Sequence, residues 1–315
     1  MLPWRLIGRR LIVLPPTLFG VLLLTFVLLQ VIPGNPVDRM LGERGATAET
    51  KARLMAHYGL DRPIHQRFGL YLHRLSKGDF GQLPGTGRSV LSEFLSRLPN
   101  TIRLALAAFL LSLCIGIPTG IASGLRPGGR LDIACRTAST LCQSTPVFWF
   151  GLAMMYLFAY KLPILPPSGD GQGSLSHLLL PAITLGVRPA AFLQRIVRSS
   201  LLDVMGQDYI RTARAKGLGE WIVIGRHALW NAAIPIVTVV AVDLGSLLSG
   251  SVITETIFRY RGVGSFIMYG IRNRIYSVVL LASLFTTALF IIVNLVTDIL
   301  YAVADPRLRE GGAGR

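Results

Sequence analysis

Long apolar runs dominate the pattern of hydrophobic and polar positions along this chain. Four of them extend for more than 20 residues without a charged side chain: 11–32, 104–125, 137–160 and 277–297. A helix needs about 20 such residues to cross the hydrocarbon core of a bilayer. Segments 178–197 and 228–254 also have spanning length but contain charges. The pattern predicts an all-α integral membrane protein with about six transmembrane helices, the third kinked at Pro146.

A different pattern fills the stretch between the first two runs. Asp61 and Pro63 form a helix start, and Gly78 forms a stop. Between them, apolar residues recur at helical spacing: Ile64, Phe68, Leu72 and Leu75. Residues 89–98 repeat this amphipathic spacing, which predicts a second helix. We therefore expect a structured extracytoplasmic segment rather than a plain linker.

These patterns divide the chain into four parts. Residues 1–32 form a cytoplasmic N-terminus with the first transmembrane helix, and residues 33–103 form the extracytoplasmic segment. Residues 104–302 form a five-helix transmembrane core, and residues 303–315 form a cytoplasmic tail.

The composition agrees with a membrane protein. Of the 315 residues, 51% are apolar and 15% charged, and the mean hydropathy is +0.54. Soluble domains carry roughly 25% charged residues. The net charge of +16 does not indicate nucleic-acid binding, because basic residues that flank spans orient membrane proteins. Their distribution over the short loops predicts a multi-pass membrane protein with both termini in the cytoplasm.

Several kinds of chemical site are missing from the sequence. It contains no GxxxxGK[S/T] phosphate loop, no HExxH motif and no CxxC pair. We expect no catalytic residue, bound cofactor or metal in this chain, so any energy that its action requires must come from a partner or from an ion gradient. An ion-driven transporter would have paired inverted halves with broken helices, and no convincing internal repeat is present.

The largest predicted cytoplasmic loop contains a short helix within 208–218, DYIRTARAKGL. Small residues would let a partner backbone approach closely, and Ala213 and Gly217 are expected on one face because they are four residues apart. An ordinary positive-inside loop is the alternative. The candidate contact residues are Asp208, Arg211, Thr212, Ala213, Arg214, Ala215, Lys216, Gly217 and Leu218.

Two charges are predicted near the middle of the membrane, Arg188 in the fourth span and Asp243 in the fifth. Ionisable residues at this depth are costly and often functional, so these two either form a buried pair or flank a passage. Ser246 and Gly250 would add a small, polar wall to that passage. Glu255 is expected at the outer mouth of the fifth span, either as a gate or as a solvated helix end.

A second charged group is predicted at the inner ends of two spans. Asp298 lies near the end of the last span, and Arg195 and Arg198 lie at the end of the fourth. An interfacial ion pair that holds the bundle together is the favoured interpretation.

The loop sequence DYIRTARAKGL, followed by HALWNAAIP, resembles the cytoplasmic loop signature of binding-protein-dependent ABC importer permeases. The closer resemblance is to the dipeptide/oligopeptide/nickel permease family, and it runs through VIPGNPVDRMLGERG, YGLDRPIHQRFGLYLHRLSKGDFG, SVITETIFRYRGVG and NLVTDILYAVADPRLR. The early first span and the long outer segment resemble the first of the two permease subunits in such importers.

This resemblance implies the type I importer permease fold and a multi-subunit assembly. The expected partners are a second homologous permease, two cytoplasmic ATPase subunits that bind ATP and Mg²⁺, and an extracytoplasmic substrate-binding protein. Residues 208–218 would be the coupling helix that seats on an ATPase subunit. Di- or oligopeptides are the expected cargo, with nickel, a metal chelate or glutathione as alternatives.

Overall fold

The computed structural model describes residues 4–31, 61–84 and 86–304, together with Glu49 and Met55. This part of the chain is helical, apart from turns and an isolated bridge between Gln82 and Ser89. The α-helices are α1 Trp4–Val31, α2 Ile64–Ser76, α3 Val90–Leu125, α4 Arg130–Ser144, α5 Val147–Met155, α6 Leu175–Met205, α7 Asp208–Ala215, α8 Glu220–Ile222, α9 Trp230–Gly250, α10 Val252–Ile257, α11 Val263–Asn273 and α12 Tyr276–Ala304. The prediction of an all-α protein is confirmed.

Within the described residues, four helical segments are long and apolar enough to cross a membrane: Ile12–Val31, Val90–Leu125, Leu175–Met205 and Tyr276–Val293. Two bent pairs bring the number to six if each pair is one span. One pair, Arg130–Ser144 with Val147–Lys161, bends by 105°, and the other, Glu220–Ala233 with Pro235–Leu247, bends by 54°.

The third predicted span is therefore broken rather than kinked. The break falls at Thr145 and Pro146, between α4 and α5. Proline has no N–H to donate, and its ring disfavours helical backbone at the preceding residue. Thr145 accordingly has extended backbone, with φ −82° and ψ 128°.

The helices belong to two compact units, each assembled from separate stretches of the chain. One unit is built from Asn100–Tyr260 and the described residues from Ile292 to Ala304. The other contains the described residues of Trp4–Pro99 together with Arg261–Ile291.

The unit that contains α1 and α2 confirms one prediction about the outer segment and corrects another. Helix α2 begins after Pro63 and ends at Ser76, close to the predicted start and stop. The predicted second helix, 89–98, is instead the first part of the 36-residue helix α3, which continues through Pro99. Val90 and Phe94 lie in a core cluster with residues of α11 and α12, and membrane helices tolerate an interior proline.

The other unit is organised around α6, which packs against α4, α5 and α9. Its main core cluster contains Leu104, Leu180, Leu185 and Phe258. The central place of α6 matters for function because Arg188, Arg195 and Arg198 all lie on this helix.

Candidate functional site

The predicted loop helix is present as α7, from Asp208 to Ala215. Asp208 lies in the first turn, where a negative charge interacts favourably with the helix dipole. Lys216 follows as the C-cap, and Gly217 has a left-handed backbone with φ +77°. Glycine adopts this conformation without steric cost, which explains why the helix ends here.

One face of α7 packs against its own chain. Ile210 and Ala213 are three residues apart and are both buried. They lie in a cluster with Leu201, Val223 and Ala228. The prediction that Ala213 and Gly217 share a partner-facing surface is therefore wrong: Ala213 is buried at 6% exposure, and Gly217 lies beyond the helix end.

The opposite side of this loop is exposed. The exposed candidate residues are Asp208, Arg211, Thr212, Arg214, Ala215, Lys216, Gly217 and Leu218. Arg211 lies 3.8 Å from Asp208, with both side chains largely in solvent, so this ion pair contributes little stability.

Arg214 has a better-defined partner in Glu220, which the sequence analysis did not single out. It donates from Nε at 3.2 Å and from a terminal nitrogen at 2.6 Å. Accepting these hydrogen bonds, Glu220 raises the pKa of Arg214. This two-point contact joins α7 to α8 across the turn at Gly217.

The two charges predicted at mid-membrane depth, Arg188 and Asp243, line one cleft. The cavity has a volume of about 290 Å³ and is lined by Gln143, Arg188, Pro189, Phe192, Asp243 and Ser246. Over the described ranges of the chain, no nitrogen–oxygen contact within 4.0 Å joins Arg188 to Asp243. The structure thus brings the charges together around a shared space without a direct ion pair.

Two side-chain atoms at this cleft lack hydrogen-bond partners within the part of the chain that the structure describes. They are Asp243 Oδ2 and Gln143 Nε2, and both are buried. The oxygen of the Gln143 amide accepts from Arg195 at 3.2 Å, and Ser246 donates to the backbone carbonyl of Asp243 at 2.9 Å. Gln143 and Asp243, which both line the cleft, therefore each have one hydrogen-bonding atom without a partner. Gln143 was not a candidate from the sequence, since nothing in its local pattern marks it.

The other two residues predicted for a passage lie elsewhere. Gly250 ends α9, and its surroundings fall outside the described residues. Glu255, in α10, is fully buried. It accepts hydrogen bonds from Thr101 at 2.8 Å and from Ser251 at 2.9 Å. Glu255 is therefore neither a solvated helix end nor a wall of the cleft, because its carboxylate joins α10 to α3 inside the unit.

Arg198, one of the two arginines predicted to pair with Asp298, binds a carboxylate that the sequence analysis did not name. Arg198 donates to Asp132 at 2.6 and 2.8 Å. Asp132 is fully buried and also accepts from the backbone of Gly128 at 2.9 Å and from the hydroxyl of Ser123. The predicted partner Asp298 has its side chain outside the described residues. The early aspartate of α4, after a Pro-Gly-Gly turn, was the signal that could have suggested Asp132.

Comparison with known proteins identifies the class. Residues 116–310 match the family model described as "Binding-protein-dependent transport system inner membrane component". The chain belongs to this family. As a permease with several membrane-spanning segments, it is a multi-pass inner-membrane protein.

The permease has curated relatives that match it almost from end to end. It is 41% identical to the di/tripeptide transport system permease protein DppB of Pseudomonas aeruginosa, over 96% of this chain and 98% of the relative. It is 37% identical to the dipeptide transport system permease protein DppB of Escherichia coli strain K12, with the same coverage. The oligopeptide transport system permease protein AppB of Bacillus subtilis is 35% identical, over 95% and 98%.

A solved structure supports the predicted fold. An inward-facing structure of the MetNI methionine ABC transporter matches with a TM-score of 0.55 at 19% identity, covering 68% of this chain and 97% of that one. The permease therefore has the type I ABC importer permease fold.

A glycine-rich seam in the permease was not recognised from the sequence. Gly116, Gly120 and Gly124 recur every fourth residue in GIPTGIASG and face α6. A Cβ atom at Gly120 would lie 2.6 Å from the Cβ of Val197, so only glycine permits this approach. Small residues at four-residue spacing let membrane helices pack closely, and here the seam holds α3 against the helix that carries Arg188.

Proposed function

We propose that this permease forms, with a second homologous permease, the path by which di- and oligopeptides cross the inner membrane. The observation that carries the proposal is its 41% identity, over nearly the full length of both chains, to a di/tripeptide permease. The charged cleft supports the proposal. A short peptide carries a positive ammonium and a negative carboxylate, and the cleft is lined by the negative Asp243 and the positive Arg188.

Energy enters this importer from two cytoplasmic ATPase subunits that bind ATP and Mg²⁺. The sequence has no phosphate loop of its own. The exposed side of α7 and its flanking turn is the docking surface for an ATPase subunit, with both termini of the permease on the same, cytoplasmic side. ATP binding by the ATPase pair favours one orientation of the permeases, and hydrolysis resets it, which is alternating access by a population shift. An extracytoplasmic binding protein delivers the cargo.

Native purification of the complete importer tests this function. We expect a second permease, ATPase subunits and a binding protein to co-purify, and mass spectrometry of the binding protein should show a short peptide. A nickel ion, metal chelate or glutathione on the binding protein would show that this ligand, and not a peptide, is the cargo of the importer. Recovery of this chain without any ATPase subunit would contradict the proposal that it belongs to an ATP-driven importer.

A further inference from the structure

The cleft between α6, α9 and the end of α4 holds two opposite charges that do not neutralise each other directly. Arg188 and Asp243 line one cavity of about 290 Å³. Neither has an ion-pair partner within 4.0 Å in the described portion of the structure. Charges in a membrane interior are costly and normally pair with each other. A ligand that bridges them would offset this cost.

The unused hydrogen-bonding atoms show what such a ligand must offer. Asp243 Oδ2 is a buried acceptor and Gln143 Nε2 is a buried donor, and neither has a partner among the described residues. A buried polar atom without a hydrogen bond costs about 1–3 kcal/mol. A molecule that donates to Asp243 and accepts from both Gln143 and Arg188 would satisfy all three groups. Its own charge must therefore be positive at one end and negative at the other.

The size of the cleft is compatible with a short ligand. Its volume is about 290 Å³, and it is open on one side. The terminal nitrogen and terminal carboxyl carbon of an extended dipeptide are separated by about 6 Å. The two charged ends of a dipeptide can therefore contact separate side chains of the cleft at the same time.

We propose that this cleft is a transit subsite for zwitterionic dipeptides. Asp243 binds the terminal ammonium, and Arg188 binds the terminal carboxylate together with the Gln143 amide. Phe192 and Pro189 supply an apolar wall for the peptide side chains. The assignment rests on the proposed peptide-import function and adds to it the residues that recognise the two termini.

The test uses the complete importer in proteoliposomes, with its binding protein at saturating concentration and Ala-Ala as the probe. Because every variant receives peptide from the same binding protein, the selectivity of that protein cancels. The variants are Asp243→Asn, Arg188→Gln, the double neutral variant, and the charge-swapped Asp243→Arg with Arg188→Asp. Val242→Ala is the matched control, since this neighbour of Asp243 is 57% exposed and does not line the cleft. Assembly is measured in parallel by size-exclusion chromatography.

We expect each single neutral variant to assemble but to take up Ala-Ala at least ten-fold more slowly than the wild type. The double neutral variant should be no faster than either single variant, because it still lacks both contacts. The charge-swapped variant should recover part of the uptake, since a dipeptide can bind in the reverse direction. Val242→Ala should transport like the wild type.

Three results would overturn the subsite. The first is uptake by both single variants within two-fold of the wild type. The second is a double neutral variant that restores assembly and uptake lost in the single variants, which would make the two charges a structural pair. The third is a loss of assembly in the single variants that the double does not repair. Failure of the assembled wild-type importer to take up Ala-Ala would instead reject the proposed peptide function.

Discussion

Arg198 binds the buried carboxylate of Asp132 through two hydrogen bonds, at 2.6 and 2.8 Å, although 66 residues separate them in the chain. The contact fixes the start of α4 against the C-terminal part of α6. Through α6 it is connected to the loop helix α7, which begins three residues after α6 ends. The arginine of this pair therefore lies on the helix that leads into the segment that we propose as the ATPase contact.

Removing one member of this pair should destabilise the permease. Arg198→Gln leaves Asp132 buried without its cation, and such a loss costs about 3 kcal/mol, the low end for a buried pair. We expect a clear drop in the melting temperature of the detergent-purified complex. The double variant with Asp132→Asn should be more stable than Arg198→Gln alone, since no uncompensated charge remains.

Arg195→Gln is the matched control for that experiment. Arg195 lies three residues before Arg198 on α6 but makes a single hydrogen bond, to Gln143 at 3.2 Å, and is exposed. Its replacement should change the melting temperature little. Equal melting temperatures for Arg198→Gln and the wild type would show that the Asp132 contact contributes no stability.

The glycine seam makes a second prediction, about packing. Gly120→Ala places a Cβ atom 2.6 Å from Val197 and 2.8 Å from the carbonyl oxygen of Gln194. Overpacking of this kind costs about 1–3 kcal/mol, so the purified permease should unfold at a lower temperature. Gly69→Ala is the control, because no atom lies within 4 Å of the new methyl group and alanine favours a helix interior. A Gly120→Ala protein as stable as the control would contradict the close packing of α3 on α6.

A third prediction concerns the buried and the exposed sides of the loop helix α7. Ala213→Arg forces a charge into the cluster around Ile210, so the variant should accumulate poorly in the membrane. Ala215→Arg adds the same side chain to the exposed side and should reach normal membrane levels. If that side contacts an ATPase subunit, Ala215→Arg should retain at least ten-fold less ATPase on co-purification.

Quantitative immunoblots of membranes and of the co-purified ATPase measure both effects. Arg211→Ala is the comparison variant, because its ion pair is solvent-exposed. Normal ATPase retention and normal uptake by Ala215→Arg would assign the ATPase contact to another surface. Gly217 is less suitable for this test, since any side chain there is strained by its left-handed backbone.

A fourth prediction concerns energy coupling. The purified permease chain alone should neither bind nor hydrolyse ATP, because it lacks a phosphate-binding loop. Nucleotide binding by equilibrium dialysis and phosphate release by a coupled assay measure this. Mass spectrometry of the sample should confirm that every ATPase subunit has been removed. ATP turnover that persists in such a sample would contradict the proposal that only the partner subunits hydrolyse ATP.

Several features of this permease could be predicted because they depend only on neighbouring residues. Long apolar runs predict membrane-spanning helices, because a helix satisfies its own backbone hydrogen bonds in the hydrocarbon core, where no water is available. Pro63 and the apolar spacing after it placed α2, and the residues around Asp208 and Gly217 placed α7. These signals act within a few residues, so no knowledge of the folded chain is needed to recognise them.

Tertiary structure decided which distant residues meet. Nothing near Arg198 in the sequence favours Asp132 over Asp298, since pairing depends on which helix ends are brought together. Local spacing favoured a shared face for Ala213 and Gly217, but the packing buries Ala213 beside Ile210, and the helix ends before Gly217. The cleft likewise exists because α6 and α9 pack side by side, which brings Arg188 and Asp243 to one cavity together with Gln143, the amide from the end of α4.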